Sequence, residues 1–148
     1  MKFHVDKTET APPHALRLRD LRDVLARVPP DWVAELKEVH LSNSLEFYAP
    51  RAIFSRYLGR LTVYSRRGTT EQAITAVVTE LAGCALGINW RSRRRPSKAD
   101  ARRLRELTGP LVHELVAAIV PPKRARVYHS WAGFRPLLLT KESAEPKD

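Results

Sequence analysis

The fold is decided by the stretch from Thr69 to Gly87, TTEQAITAVVTELAGCALG. Thr69 and Gln72 have the spacing of a capping box, in which each side chain accepts a hydrogen bond from the backbone N–H of the other residue. An unbroken apolar stripe follows at helical spacing, and Gly87 suits the left-handed conformation that ends many helices. We therefore expect a central, nearly surrounded helix from about Glu71 to Leu86.

Outside this helix, further helices alternate with short strands. An apolar stripe at steps of three and four predicts an amphipathic helix over residues 18–28, which Pro29 ends. A third helix is predicted to begin at the cap Ser97 and to kink or split at Gly109-Pro110. Apolar alternation and turn residues predict these strands: Lys37–Leu41, Ile53–Leu58, Leu61–Ser65 and a last edge strand from Val127 to about Trp131.

These elements predict an α+β fold, with a small mixed or antiparallel sheet of three to four strands packed against about three helices. Residues 1–12 are polar and are expected to be a lead-in to a single domain over residues 13–139, and residues 140–148 are expected to be a disordered tail. A chain of 148 residues is long enough to bury one core of ordinary size.

The composition is strongly basic, with 26 Lys and Arg residues against 16 acidic ones and a formal net charge of +10. Arginine suits phosphate recognition, although a GC-rich bacterial genome would also place arginine at surface positions. No apolar run is long enough to span a membrane, and the N-terminus lacks the apolar core of a signal peptide. The one cysteine, Cys84, excludes an internal disulfide, so we expect a cytoplasmic protein without membrane contact.

The spacing of the histidines along the sequence offers no metal site. His113 and Glu114 match the first half of a His-Glu-x-x-His motif, but Ala117 occupies the second histidine position. No second histidine at ligand spacing accompanies any of the others: His4, His14, His40 and His129. The sequence also lacks a Gly-x-Ser-x-Gly turn and a glycine-rich phosphate loop. It therefore predicts no catalytic residue, no metal and no cofactor.

The centre of the predicted helix, Val77-Val78-Thr79-Glu80-Leu81-Ala82-Gly83, resembles the motif helix of zincin-like metallopeptidases of the minimal gluzincin type. That helix carries His-Glu-x-x-His, in which two imidazoles hold a zinc ion and the Glu is the general base. Thr79 and Gly83 stand at the two histidine positions, so only Glu80 matches. The resemblance covers roughly residues 16–90, and it likens Leu61–Ser65 to the strand that lies along the substrate cleft. It implies a scaffold that has lost its metal, without catalysis by Glu80.

Glu80 has a second interpretation that needs no family. Capped apolar helices with one glutamate are common, and such a glutamate is expected to pair with a nearby arginine. The order of strand, hairpin and helix is common as well. Both interpretations place residues 77–83 in a central helix. They differ only in whether that helix is related to the motif helix of a peptidase.

The densest charge lies between Arg91 and Arg105, where eight basic residues accompany one acid, Asp100. These cations could follow a phosphate backbone without sequence preference, and an aromatic ring could stack on a base. A solvated loop that only keeps an arginine-rich protein in solution is the alternative. The candidate binding residues are Trp90, Arg91, Arg93, Arg94, Arg95, Lys98, Arg102 and Arg103.

Two functions follow from the sequence. The first is a non-catalytic zincin-like domain that acts as a binding or scaffold module. The alternative is a basic nucleic-acid-binding protein that uses Arg91–Arg105. The expected partner is a nucleic acid or an acidic protein, and the sequence leaves the oligomeric state open.

Overall fold

The computed structural model describes residues 1–88 and 97–120 of the chain. The chain divides into two compact units, Met1–Val116 and Ala117–Asp148. Since only residues 117–120 of the second unit are described, the single domain over 13–139 stays a prediction. The elements in chain order are β1 (Lys2–Val5), α1 (Leu18–Arg27), a short 3-10 helix (Pro30–Trp32), β2 (Glu38–Ser42), β3 (Arg51–Ser55), β4 (Arg60–Tyr64), α2 (Thr70–Ala85) and α3 (Lys98–Ile119).

The four strands form one mixed sheet in the order β1-β2-β4-β3. β1 and β4 both run parallel to β2, and β3 pairs with β4 in antiparallel fashion. Parallel neighbours need a long crossover, which α1 provides between β1 and β2. A four-stranded mixed sheet with three α-helices in the described residues confirms the predicted α+β fold.

The core lies on one face of this sheet. Val39 and Leu41 of β2 are buried, and so are Leu61 and Val63 of β4, while the residues between them are only half-buried. The apolar stripes of α1 and α2 are buried as well, through Leu21, Val24, Ile74, Val77, Val78 and Leu81. Because side chains alternate between the faces of a strand, the residues of even number in β1, β2 and β4 lie on the opposite face, outside this core.

The N-terminal segment is not merely a polar lead-in, because Lys2–Val5 form β1, which lies at one end of the sheet in the described residues. The backbone N–H of Lys2 donates to Lys37 O at 3.0 Å, and that of Asp6 donates to Leu41 O at 2.9 Å. The strand was missed because two of its four residues are polar and its partner lies far along the chain. It places its polar residues beside those of β2.

The hairpin begins earlier than predicted. β3 covers Arg51–Ser55 rather than Ile53–Leu58, because residues 56–59 form the turn. Gly59 has a φ of +64°, and a Cβ there would lie 3.0 Å from the carbonyl oxygen of Glu35. A glycine is therefore needed at the end of this turn.

α3 is one continuous helix from Lys98 to Ile119, so it is not split at Gly109-Pro110, and the kink predicted there as the other possibility stays a prediction. Pro110 lacks the N–H that would bond to the carbonyl of Glu106. Both residues are exposed, so that water can take the place of the missing donor. Nearby, the hydroxyl of Thr108 donates to Leu104 O at 2.7 Å.

Several predictions fall outside the described residues. They are the last strand from Val127 to Trp131, the tail over residues 140–148, and the candidate binding residues Trp90, Arg91, Arg93, Arg94 and Arg95.

Candidate functional site

The predicted helix α2 is confirmed, with its start and its end. The hydroxyl of Thr69 accepts the N–H of Gln72 at 3.1 Å, and the side chain of Gln72 accepts the N–H of Thr69 at 3.0 Å. These two bonds satisfy donors that the first turn of a helix leaves free. Gly87 follows the last turn with a φ of +73°, as expected of a residue that ends a helix.

The three motif positions of α2 do not form a metal site. Thr79 is half-buried and Gly83 is buried, and neither side chain offers a nitrogen or a charged oxygen to a zinc ion. Glu80 is buried, and its Oε2 accepts the backbone N–H of Phe54 at 2.7 Å. The thiol of Cys84 lies 3.9 Å from the same oxygen. The arginine partner expected for Glu80 stays a prediction.

The contact of Glu80 with Phe54 shows which strand lies beside the motif helix. α2 packs chiefly against β3, whereas β4 lies inside the sheet between β2 and β3. The likening of Leu61–Ser65 to the strand along a substrate cleft stays a prediction. Between β3 and α2 lies a cavity of about 280 Å³, lined by Pro50, Arg51, Ala52, Ile53, Ala76, Thr79 and Glu80.

The described part of the basic segment is the beginning of α3. The hydroxyl of Ser97 accepts the N–H of Asp100 at 3.1 Å, as the sequence predicted for a helix cap. Leu104 is buried and packs with Ala82 and Ile88, which anchors the helix. The cationic side chains around this anchor are all exposed: Lys98, Arg102, Arg103 and Arg105.

A cluster that the sequence did not predict lies at the β1–β2 edge of the sheet. His4 pairs in register with His40, and their ring centroids are 4.9 Å apart. Asp6 Oδ1 lies 3.2 Å from His4 Nε2 and 3.0 Å from His40 Nε2. The three side chains offer ligand atoms that all lie within 4.8 Å of one another. We call this group the His–Asp cluster.

The His–Asp cluster brings together two histidines that the sequence separates widely. The motif spacing considered in the sequence places histidines one helical turn apart, whereas these side chains meet through parallel strand pairing. One signal was available, since Lys2, His4 and Asp6 alternate with Phe3 and Val5. Such alternation is typical of a strand with one polar face. It would have placed His4 and Asp6 on the same side.

Asp6 is held by residues around the cluster. Its Oδ2 accepts the backbone N–H of Asn43 at 3.2 Å, and its carbonyl oxygen lies 2.8 Å from His14 Nε2. The close approach of the His40 imidazole, followed by the N–H of Asn43, holds the pKa of the Asp6 carboxyl below its ordinary value. Asp6 therefore carries a negative charge at neutral pH.

No protein-family model, curated protein or solved structure matches this chain. Among the described residues, no helix combines the length and the apolar character needed to cross a bilayer.

Proposed function

We propose that this protein is a non-catalytic, zincin-like binding domain whose ligand is nucleic acid. The ligand would be held by the beginning of α3 together with the basic residues that precede it in the sequence, Arg91–Arg95. The observation that carries the proposal is the set of exposed cations around the buried anchor Leu104.

The non-catalytic part of the proposal rests on α2. A zincin-type reaction needs a metal-bound water, and Thr79 and Gly83 supply no imidazole to hold a metal. Glu80 is buried, and its carboxylate already accepts a backbone N–H from β3. A carboxylate that accepts a backbone N–H in this way links α2 to β3.

The binding part of the proposal rests on the arrangement of charge along α3. Lys98, Arg102 and Arg105 follow one another at steps of four and three, which places them on a single stripe of the helix. With a rise of about 1.5 Å per residue, the stripe spans roughly 10 Å along the helix axis. Because Leu104 holds the helix on the core, these cations are presented on a fixed support. Contacts to phosphate would dominate the affinity and would carry no sequence preference.

The test is a titration of fluorescent DNA and RNA with the full chain at two salt concentrations. Each phosphate contact contributes a slope of about −0.9 for duplex DNA, so that five contacts would weaken binding roughly 500-fold between about 50 and 200 mM salt. Mutation of Arg102 and Arg105 together to Ala should weaken binding at the lower salt and reduce the slope by about two. The same change at Arg19 and Arg27, which are exposed on α1, is the matched control.

The outcomes separate the alternatives. Equal loss of affinity in the two double variants would refute a localised surface and indicate an effect of net charge alone. An absence of binding by the wild-type protein at the lower salt would refute the nucleic-acid proposal. Circular dichroism of each variant checks that the helices are retained. If the wild-type protein does not bind nucleic acid, an acidic protein is the class of partner to test next.

A further inference from the structure

We propose that the His–Asp cluster, His4, Asp6 and His40, is a binding site for a divalent transition-metal ion such as Zn²⁺, and that the ion fastens β1 to β2. The site lies outside α2 and is independent of both the motif resemblance and the basic surface of α3. Its three ligand types are two imidazoles and one carboxylate, which are common ligands of zinc and of other first-row ions.

The first argument is the convergence of the side chains. Neighbouring ligand atoms around a four- or six-coordinate ion lie about 2.9–3.5 Å apart when the bonds are about 2.0–2.2 Å long. The distances from Asp6 Oδ1 to the Nε2 atoms of His4 and His40 are 3.2 and 3.0 Å, which fall in that range. Two strands that are distant in the sequence therefore bring two imidazole nitrogens to this separation from one carboxylate oxygen, and all three ligand atoms lie within 4.8 Å of one another.

The second argument concerns the nitrogen of His40. Its Nε2 is buried and faces Asp6 Oδ1 at 3.0 Å, without the alignment of a good hydrogen bond. A metal ion between the two atoms would bind the lone pair of this nitrogen and the carboxylate oxygen together.

The third argument is that neighbouring residues hold the Asp6 carboxylate in an orientation suited to binding an ion. Asn43 occupies Oδ2 through its backbone N–H, which leaves Oδ1 directed at the two imidazoles. Asn43 is itself fixed, because its side chain donates to Lys7 O at 3.1 Å and Arg66 donates to its carbonyl at 2.8 Å. Groups that orient a ligand in this way strengthen metal affinity.

The character of the ion follows from the ligands and from their exposure. Two imidazoles disfavour Ca²⁺ and Mg²⁺, which prefer oxygen, and favour Zn²⁺ and its neighbours in the periodic table. The side chain of His4 is 73% exposed, so water can reach the ion from that side. Three protein ligands leave at least one coordination position for that water.

The consequence for the fold comes from the origin of the ligands. His4 and Asp6 belong to β1 and the residue that follows it, whereas His40 belongs to β2. β1 is a short edge strand, and most of its residues are exposed. A bound ion would link the two strands directly and would reduce the opening of β1 from the sheet.

The test uses the full chain without a histidine tag, titrated with Zn²⁺ alone in a calorimeter near neutral pH. We expect one ion per chain with micromolar or tighter affinity, and a loss of at least about tenfold in H4A and in D6N. His4 is exposed, so its removal should leave folding intact. H113A removes an exposed histidine of α3 and should bind Zn²⁺ as the wild-type protein does.

Two results would overturn the site: no heat of binding up to about 1 mM Zn²⁺, or equal affinities in H4A and H113A. Hydrogen exchange tests the link between the strands. The N–H of Asp6 donates to Leu41 O across the strands, so its exchange should slow when Zn²⁺ is added to the wild-type protein and should not change in H4A. If Zn²⁺ binds but the Asp6 N–H does not exchange more slowly, the proposal that the ion links β1 to β2 is refuted.

Discussion

The motif helix α2 and the β1–β2 edge of the sheet use reactive side chains in opposite ways. α2 resembles a catalytic helix in sequence, yet Glu80 is buried and accepts a hydrogen bond from the backbone of β3. The β1–β2 edge carries no recognisable motif, yet His4, Asp6 and His40 converge there. A pattern within one helix therefore reports its local conformation well, whereas the pairing of distant strands decides which side chains meet.

The largest expected effect is in α2, where a charge would be placed in the core. Val78 is fully buried, so V78D should cost more than about 4 kcal/mol and unfold the protein. T75D places the same residue type at an exposed position of the same helix and should change the stability by less than about 0.5 kcal/mol. Urea unfolding followed by circular dichroism measures both. Equal stability of the two variants would contradict the role of α2 as the centre of the core.

A smaller effect is expected at Glu80, and it bears directly on the comparison. E80A removes the acceptor for the N–H of Phe54 and should cost about 1–3 kcal/mol. E80Q keeps an acceptor oxygen and should cost clearly less. Urea unfolding of the two variants provides the measurement. If E80A is as stable as the wild-type protein, Glu80 has no structural task, and the contrast between the two regions fails.

The smallest effect is expected at Asp6 and depends on pH. Its pKa is lower in the folded protein than in the unfolded chain, so its contribution to stability is present above the unfolded value of about 3.9 and is lost as the pH falls through the folded value. The wild-type protein should therefore lose more stability than D6N between about pH 5 and pH 3. Unfolding in urea at the two pH values, without added metal, gives both losses. Identical losses would show that Asp6 gains no favourable interaction on folding.

Much of the fold could be predicted because its signals are local. The cap at Thr69, the stripe along α2 and the end at Gly87 are all readable within one segment. β1 could not be recognised with the same ease, because a four-residue strand gives little periodicity and its partner follows only after α1. Pro110 does not split α3, since an exposed break in the hydrogen-bond ladder costs less than a buried one.

The candidate sites, like the fold, could be predicted only where the signal is local. The exposure of Arg102 and Arg103 followed from the helical period, because Leu104 had to face the core. The structural contact of Glu80 did not follow, because the sequence does not show which backbone donor faces it. The His–Asp cluster depends on the register of β1 against β2, in which His4 meets His40. The alternation of polar and apolar residues shows which face each strand buries, but it does not show which residue of a distant strand lies opposite His4.

The bond from Glu80 to Phe54 also affects how copies of this protein meet one another. Within the described residues β3 lies at one end of the sheet, a position from which a strand can pair with a strand of another molecule. Glu80 already accepts the N–H of Phe54 on this strand. That backbone donor is therefore not available for sheet growth between copies of the protein.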